Sequence, residues 1–451
     1  MTGCTVKELC AAVGGTLLQQ SGAVVTQVST DSRSIPNRAL FVPLVGERFD
    51  GHDYLDAALE RGAAGCLTAR KPASLLPDKF YIQVSDTLEA LKALAAWYRA
   101  KFDIPMVQVT GSAGKTTTKE MIAAVLGQRF STLKTQANFN NAIGTPMTLL
   151  NLAPEHQAAV IETGMNHFGE IRYLGEMVRP TVAVITNVGD AHIENLGGTR
   201  QGILQAKCEI FENLQPGGLA VLNGDDELLS GLTLPFETVL CGRHERCGVR
   251  VTNVAEHGIE GVTCTVTTKR EVYEVAIPSP GAYMIYPAAM AIAIGEHLGL
   301  TKAELLSGIA AYRPVGSRMH LVRCGGDRII IDDCYNANPQ AMAEALRILA
   351  QTEHPRRMAV LGDMGELGDL TEQAHRDMGA LTRTLGLDTV VAVGPKAKAI
   401  QDANPDVLWF PTVADALSAI RAAFTAGTAV LVKASHAMHF TDIVKDLEAT
   451  E

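Results

Sequence analysis

The sequence predicts an α/β protein of three domains, with an open and mostly parallel sheet at its centre. Three observations predict it. The chain has 451 residues, about three times a usual domain length of roughly 150. Hydrophobic residues make up 47% of it and charged residues 20%, enough for several packed cores and far from a disordered composition. From residue 106 onward, short buried-strand patterns alternate with helical stretches, the rhythm of a doubly wound sheet.

The first section, 1–103, mixes short helix and strand signals. It ends in a helical stretch at 87–101 that stops at Asp103-Ile104-Pro105, because the residue before a proline is pushed out of the helical region. The second, 104–313, opens with the buried-strand pattern Met106-Val107-Gln108-Val109-Thr110. Further strands are expected at 158–161 and 182–185, then a β-rich patch at 249–277 and an alanine-rich helix at 288–298. Pro314-Val315-Gly316 reads as a hinge. The third section, 314–451, resumes the α/β rhythm in a Rossmann-like pattern. Its strands at 329–331, 358–361, 390–393 and 430–432 are each followed by a Gly- or Asn-bearing turn and a helix.

Composition excludes several classes. The net charge is −10, from 49 acidic and 39 basic side chains, so a nucleic-acid partner is not expected. The nine cysteines are scattered and form no C-x-x-C pair, which argues against a disulfide framework or a zinc knuckle and for a reducing compartment. Residues 1–20 lack a basic segment followed by an apolar one, and no apolar run is long enough to span a bilayer. The expectation is a cytoplasmic protein with no membrane insertion.

The strongest motif is Gly111-Ser112-Ala113-Gly114-Lys115-Thr116-Thr117-Thr118, placed after a strand and opening a helix expected to start near Lys119. Glycines let the backbone wrap around phosphate oxygens with successive N–H groups pointing inward. The helix N-terminus favours an anion, the Lys115 ammonium can reach the outer phosphates, and the Thr116 hydroxyl can bind magnesium. The spacing departs from the usual phosphate-loop pattern, since Val109 stands at the first glycine position. The competing reading is a glycine turn with a solvated lysine. Loops of this kind serve kinases, motors, switches and ligases, so function depends on what surrounds it.

Glu162 lies just past a buried strand, in Ile161-Glu162-Thr163-Gly164-Met165-Asn166-His167, at an end that borders the ligand crevice of an open parallel sheet. It is a candidate magnesium ligand, or else a carboxylate capping the helix near Gly169. His192, in Asn187-Val188-Gly189-Asp190-Ala191-His192, and Lys207, in Ala206-Lys207-Cys208-Glu209-Ile210-Phe211, are by default a structural histidine and a solvated lysine.

A family resemblance lifts both. The stretch Thr110 to Thr118, the Glu162 strand end, Asn187 to Leu196 and Ala206 to Phe211 resemble the ATPase domain of the Mur ligases, which add amino acids to the peptidoglycan precursor. Further segments resemble the member that adds D-Ala-D-Ala to a UDP-MurNAc-tripeptide. These are Gly46-Glu47-Arg48-Phe49-Asp50-Gly51-His52, Asn138 to Met147, Asp332-Asp333-Cys334-Tyr335-Asn336-Ala337-Asn338-Pro339 and Gly362 to Gly368. The likeness runs through all three sections in order. It implies an N-terminal UDP-precursor domain, a central ATP-binding domain, a C-terminal ligand-binding domain, and a monomer.

The resemblance also implies roles. Gly111, Ser112, Ala113, Gly114, Lys115, Thr116 and Thr117 would hold ATP, and Thr116, Glu162, His192 and Lys207 would hold two magnesium ions. Lys207 resembles the family's carbamylated lysine, whose CO2 adduct replaces a cation by a carboxylate-like ligand, removing the repulsion an ammonium would exert on a divalent ion. Arg318 resembles an arginine that enters the site when the last domain closes, and Asp333 the residue that holds the ATP ribose. Ser29, Thr30, Asp31, Ser32, Arg33, Phe49, Asp50, Gly51 and His52 would contact the UDP-sugar. Asn138, Asn140, Asn141, Asn166 and His167 would line the precursor site, with Tyr335, Asn336 and Asn338 near the incoming dipeptide.

Two departures stand out. Tyr283, Met284 and Pro287 lie where relatives carry asparagines near the adenine, so those contacts are not carried over. His436 lies where an arginine is usual, and its charge at neutral pH is less certain. The rival readings are a sister Mur ligase that adds the third residue, a folylpolyglutamate synthetase-like ligase, and a nucleotide-driven switch. The first would be expected to carry an Asn-Pro-Arg signature in the last section, and this chain has none.

Overall fold

The computed structural model describes residues 1–190, 193–365 and 367–449. They form two compact units, 1–241 with 290–304, and 242–289 with 305–451.

The first unit holds two sheets. In the N-terminal one the strand order is Thr16–Gln19, Phe80–Gln83, Gly65–Thr68, Leu40–Phe41, Val28–Ser29; the first pair is antiparallel and the rest are parallel. Alternation along Phe80–Gln83 sends Phe80 and Ile82 into one core and Tyr81 into another, with Phe41, Leu55 and Ala58. Helix α1 (Thr87–Arg99) starts at Asp86, whose carboxylate accepts from the Leu88 and Glu89 N–H groups. Its stripe Leu91, Leu94, Ala95 and Tyr98 packs with Met106, Leu149 and Leu174. One core therefore joins the first two sections of the chain, and α1 is a shared wall of it.

The second sheet of this unit has six parallel strands in the order Glu237–Gly242, Leu219–Asn223, Val182–Ile185, Met106–Thr110, Ala158–Glu162, Thr132–Lys134. Strands covered on both faces read as unbroken apolar runs, as in Val182-Ala183-Val184-Ile185, all fully buried. Strand order reverses beside Met106–Thr110, so its carboxyl end opens the crevice where such sheets bind ligands. Helix α2 (Lys115–Leu126) begins four residues before the expected start, because Gly114 in the left-handed region (φ 76°) turns the chain directly into it.

In the second unit, 249–277 resolves into an antiparallel meander, Val249–Glu256, Val262–Thr267 and Val272–Ile277. A six-stranded sheet follows in the order His320–Cys324, Arg328–Asp332, Thr428–Lys433, Arg356–Gly362, Thr389–Val393, Leu408–Phe410, parallel except for its first pair. Ile329 and Ile331 enter one core and Ile330 the other, so both faces are covered as the Rossmann-like pattern predicts. The edge strands His320–Cys324 and Leu408–Phe410 were not expected; both are partly exposed, the first is interrupted by Arg323, and the second has only three residues.

Candidate active site

The phosphate loop is pinned by the neighbouring strand. The Ser112 N–H donates to the Asn187 carbonyl at 3.1 Å and the Ala113 N–H to Asn187 Oδ1 at 2.9 Å. The Thr186 hydroxyl donates to the Ala113 carbonyl at 2.6 Å. A Cβ on Gly111 would fall 1.8 Å from Thr186 Oγ1, so only glycine lets the loop lie this close. Lys115 folds back, its ammonium donating to the Gly111 carbonyl at 2.8 Å. Two of the loop's N–H groups are thereby engaged by Asn187, and the start of α2 is the part of the loop whose dipole favours an anion. Thr186 and Asn187 were not singled out as site residues; their position one step past a strand adjacent to the loop was the available signal.

Glu162 is buried at the end of its strand, 2% exposed. Its N–H donates to Thr135 Oγ1 at 3.0 Å, and Asn140 Nδ2 donates to its Oε1 at 2.9 Å. Its Oε2 is buried with no hydrogen-bond partner. The ammonium of Lys119 lies 3.8 Å from that oxygen, donates to the Thr135 carbonyl at 2.6 Å, and pairs with Glu120 at 3.0 Å, which also meets Lys134. Two buried carboxylates are thereby balanced by two ammonium groups, the condition for keeping such charges inside a protein. The helix-capping reading of Glu162 does not hold. The helix after Gly169, α4 (Glu170–Val178, with α3 at Gly144–Leu149), receives its carboxylate from Glu209 instead.

Lys207 lies on helix α5 (Arg200–Cys208) and is 3% exposed, so the reading as a solvated lysine fails. Burial, and next the charge of Lys115, push its pKa well below the ordinary lysine value, which favours the neutral amine. His192 lies outside the described residues. A buried carboxylate oxygen that accepts no hydrogen bond and a hydroxyl in the first turn of α2, at Thr116, are hard oxygen donors of the kind magnesium takes, and a neutral Lys207 would add oxygens only after taking up CO2.

Two loops border Glu162. The Gly164 N–H donates to the Asn140 carbonyl at 2.8 Å, tying 138–144 to 164–169. Asn138, Asn166 and His167 are exposed on them, flanked by the exposed rings of Phe139 and Phe168. His167 Nδ1 is 3.3 Å from Glu170, and the Asn166 N–H donates to the same carboxylate at 2.7 Å. Asn141 Oδ1 caps α3 through the Ile143 and Gly144 N–H groups at 3.1 and 2.8 Å.

In the N-terminal section, Ser29 Oγ donates to the Asp31 and Ser34 carbonyls at 3.2 and 3.3 Å, shaping the loop that contains Thr30 and Ser32. Arg33 pairs with Asp31 at 2.9 Å and holds its carboxyl at about 2. Phe49 is 59% exposed. A Cβ on Gly51 would come within 2.7 Å of the Leu44 N–H nitrogen, so the loop is tightly folded there. His52 is buried beneath it: its Nε2 accepts from the Ala69 N–H at 2.9 Å, so Nδ1 carries the proton shared with Asp50 at 2.7 Å. Both its ring nitrogens are used within the protein.

In the second unit, Asp333 accepts from the Met319 N–H at 3.0 Å and from Lys433 Nζ at 2.5 Å, and Lys433 also donates to the Asn336 carbonyl at 3.0 Å. Burial raises the Asp333 carboxyl against the opposing pull of Lys433. The Arg318 guanidinium lies 3.9 Å above the Tyr335 ring, whose edge meets the His436 ring 5.7 Å away. Asn336 Oδ1 accepts from the Ala337 N–H at 2.9 Å. Asn338 Oδ1 accepts from the Ala341 N–H at 2.8 Å and so caps the helix Pro339–Ala350. Lys433, not singled out in the sequence, is the buried cation that organises this group.

Comparisons with known proteins follow the same plan. The family model described as Mur ligase family, catalytic domain, matches residues 24–99, the Mur ligase middle domain 109–295, and the Mur ligase, glutamate ligase domain 317–436. The UDP-N-acetylmuramoyl-tripeptide–D-alanyl-D-alanine ligase of Bacillus subtilis (strain 168) is 36% identical, with 98% of each chain covered. That of Escherichia coli (strain K12) is 36% identical over 90% of this chain and 89% of its own. A crystal structure of MurF from Acinetobacter baumannii superposes with a TM-score of 0.92 at 31% identity, covering 99% of both chains. The MurF ligase from Thermotoga maritima in complex with ADP gives 0.82 at 28%, covering 94% of this chain and 97% of that one. A Mycobacterium tuberculosis folylpolyglutamate synthase shares the fold, at a TM-score of 0.64 and 18% identity.

Proposed function

Since the chain belongs to the Mur ligase family, 36% identical over 98% of its length to a D-alanyl-D-alanine-adding ligase, we propose that it joins D-alanyl-D-alanine to UDP-MurNAc-tripeptide at the expense of ATP. It is an ATP-dependent ligase of peptidoglycan precursor synthesis. The products are UDP-MurNAc-pentapeptide, ADP and phosphate. The observation that carries the reading is the buried Glu162 carboxylate, one oxygen of which accepts no hydrogen bond, set between a phosphate loop and two asparagine-bearing loops.

Two anions, a triphosphate and a carboxylate, have to meet. Backbone N–H groups at the helix start, Gly114 to Thr117, and the Lys115 ammonium, once released from the Gly111 carbonyl, hold the phosphates, while the Ser112 and Ala113 N–H groups stay on Asn187 and keep the loop in place; Asp333 and Arg318 bind the rest of the nucleotide. Thr116, Glu162, His192 and a carbamylated Lys207 would hold two magnesium ions, which lower the repulsion between the reactants when bound. A precursor carboxylate oxygen attacks the γ-phosphorus and ADP departs, leaving an acyl phosphate. The dipeptide amine then attacks that carbonyl, the carbon–oxygen bond breaks with its electron pair going to phosphate, and the amine's proton passes to the departing phosphate. Asn138, Asn140, Asn141, Asn166 and His167 orient the precursor, and Tyr335, Asn336 and Asn338 the dipeptide.

We assign 1–103 to the UDP-precursor, 104–313 to ATP and 314–451 to the remaining ligands, with the protein acting as a cytoplasmic monomer. Among the described residues no helix is long and apolar enough to cross a membrane. A precursor labelled with oxygen-18 in its terminal carboxylate tests the route: the released phosphate should carry one labelled oxygen. Unlabelled phosphate with full product formation would exclude the acyl phosphate.

A further inference from the structure

We infer that Glu209 is a positioning residue that fastens the end of the Lys207 helix to the loop carrying Asn166 and His167. Glu209 directly follows α5 and is only 5% exposed. Its Oε1 accepts from the Gly169 N–H at 2.7 Å and its Oε2 from the Arg172 N–H at 3.2 Å. Both donors belong to the first turn of α4, whose own N-cap residue, Gly169 (φ 85°), has no side chain to satisfy them. The cap comes instead from 40 residues further along the chain, and it brings a negative charge to the positive end of the helix dipole. Charge-assisted bonds to backbone N–H groups are among the stronger and more directional ones.

The surrounding contacts make the junction specific. Arg172 Nε meets Glu212 at 2.6 Å, and Asn213 Nδ2 donates to the Arg172 carbonyl at 3.3 Å. A Cβ on Gly175 would come within 2.9 Å of Asn213 Nδ2, so the two segments lie in close contact. On the other side of Gly169, Phe168, His167 and Asn166 continue into Gly164, which is tied to Asn140. One carboxylate thus sets the distance between Lys207 and the loop assigned to the precursor, so Glu209 governs precursor binding without touching the nucleotide loop.

The inference rests on the precursor assignment made above, and its test separates the two. Full-length Glu209→Gln, which keeps shape but loses one acceptor, and Glu209→Ala are compared with Glu212→Gln at the same junction. KM for the UDP-precursor should rise about tenfold in the Glu209 variants, with KM for ATP unchanged and Glu212→Gln near wild type. Amide hydrogen exchange at Gly169 and Arg172 should speed up by at least about tenfold in Glu209→Ala, whatever the substrate. Faster exchange with an unchanged precursor KM would overturn the positioning role while leaving the cap intact. Unchanged exchange would overturn the inference outright. A wild-type enzyme that ignores the precursor would instead remove the assignment of the loop.

Discussion

Asn140 Nδ2 donates to Glu162 Oε1 across 2.9 Å, while Oε2 of the same carboxylate accepts no hydrogen bond. The amide fixes the carboxylate's rotation and leaves its second oxygen for a cation. Groups that orient a metal ligand typically matter by about 10–100-fold in affinity or activity. Asn140→Ala should therefore raise the magnesium concentration for half-maximal activity by about tenfold, and Glu162→Gln should do more damage than Asn140→Ala. Magnesium titrations of both variants check this; a wild-type requirement in either contradicts it.

Lys207 is buried beside Lys115, and both burial and that charge favour its neutral amine. Only an uncharged amine adds CO2. Wild-type enzyme in carbon-13 bicarbonate should give a carbamate resonance that Lys207→Ala lacks, with activity of that variant down by roughly 100-fold or more. Full activity in Lys207→Ala, or no carbamate signal in an active wild type, would remove the adduct from the account.

Much of this site was legible from strand ends. Glu162 and the phosphate loop each sit one step past a buried apolar run, and a parallel sheet turns such positions into a crevice. Lys207 and Lys119 were not legible, because nothing in a local pattern tells a buried lysine from a solvated one; their burial depends on long-range partners such as the Thr135 carbonyl. The cap of α4 was hidden for the same reason: the alternative offered for Glu162 rested on nearness in sequence, whereas Glu209 is near in space. The edge strands of the second unit escaped because one is interrupted by Arg323 and the other is only three residues long. The shared core around α1 was equally hidden, since it pairs residues far apart along the chain.

His375 is fully buried, its Nε2 accepting from the Met364 N–H at 3.0 Å and its Nδ1 2.7 Å from the Thr371 carbonyl. That pattern needs the neutral ring, and burial lowers its pKa below the ordinary value. The folded form stays neutral where the unfolded chain takes up a proton. This contribution is full above about pH 6.5 and is lost as pH falls toward the lowered folded value. Thermal midpoints should fall more between pH 7.5 and 5.5 for wild type than for His375→Gln; equal slopes would contradict this.

Lys433 and Asp333 form a buried pair at 2.5 Å. Removing one partner of such a pair typically costs about 3–5 kcal/mol. Lys433→Met should lose stability of that order in urea melts, and adding Asp333→Asn should recover part of it. A loss below about 1 kcal/mol in Lys433→Met would show that the pair is not integral to the second unit.

The central claim is that the protein joins a precursor carboxylate to a dipeptide amine at the expense of ATP. Phosphate release across a panel of UDP-precursors, each with and without D-alanyl-D-alanine, tests it most directly. The account predicts release only with a UDP-MurNAc-tripeptide and the dipeptide together. Equal release with a single amino acid, or with neither co-substrate, would contradict it.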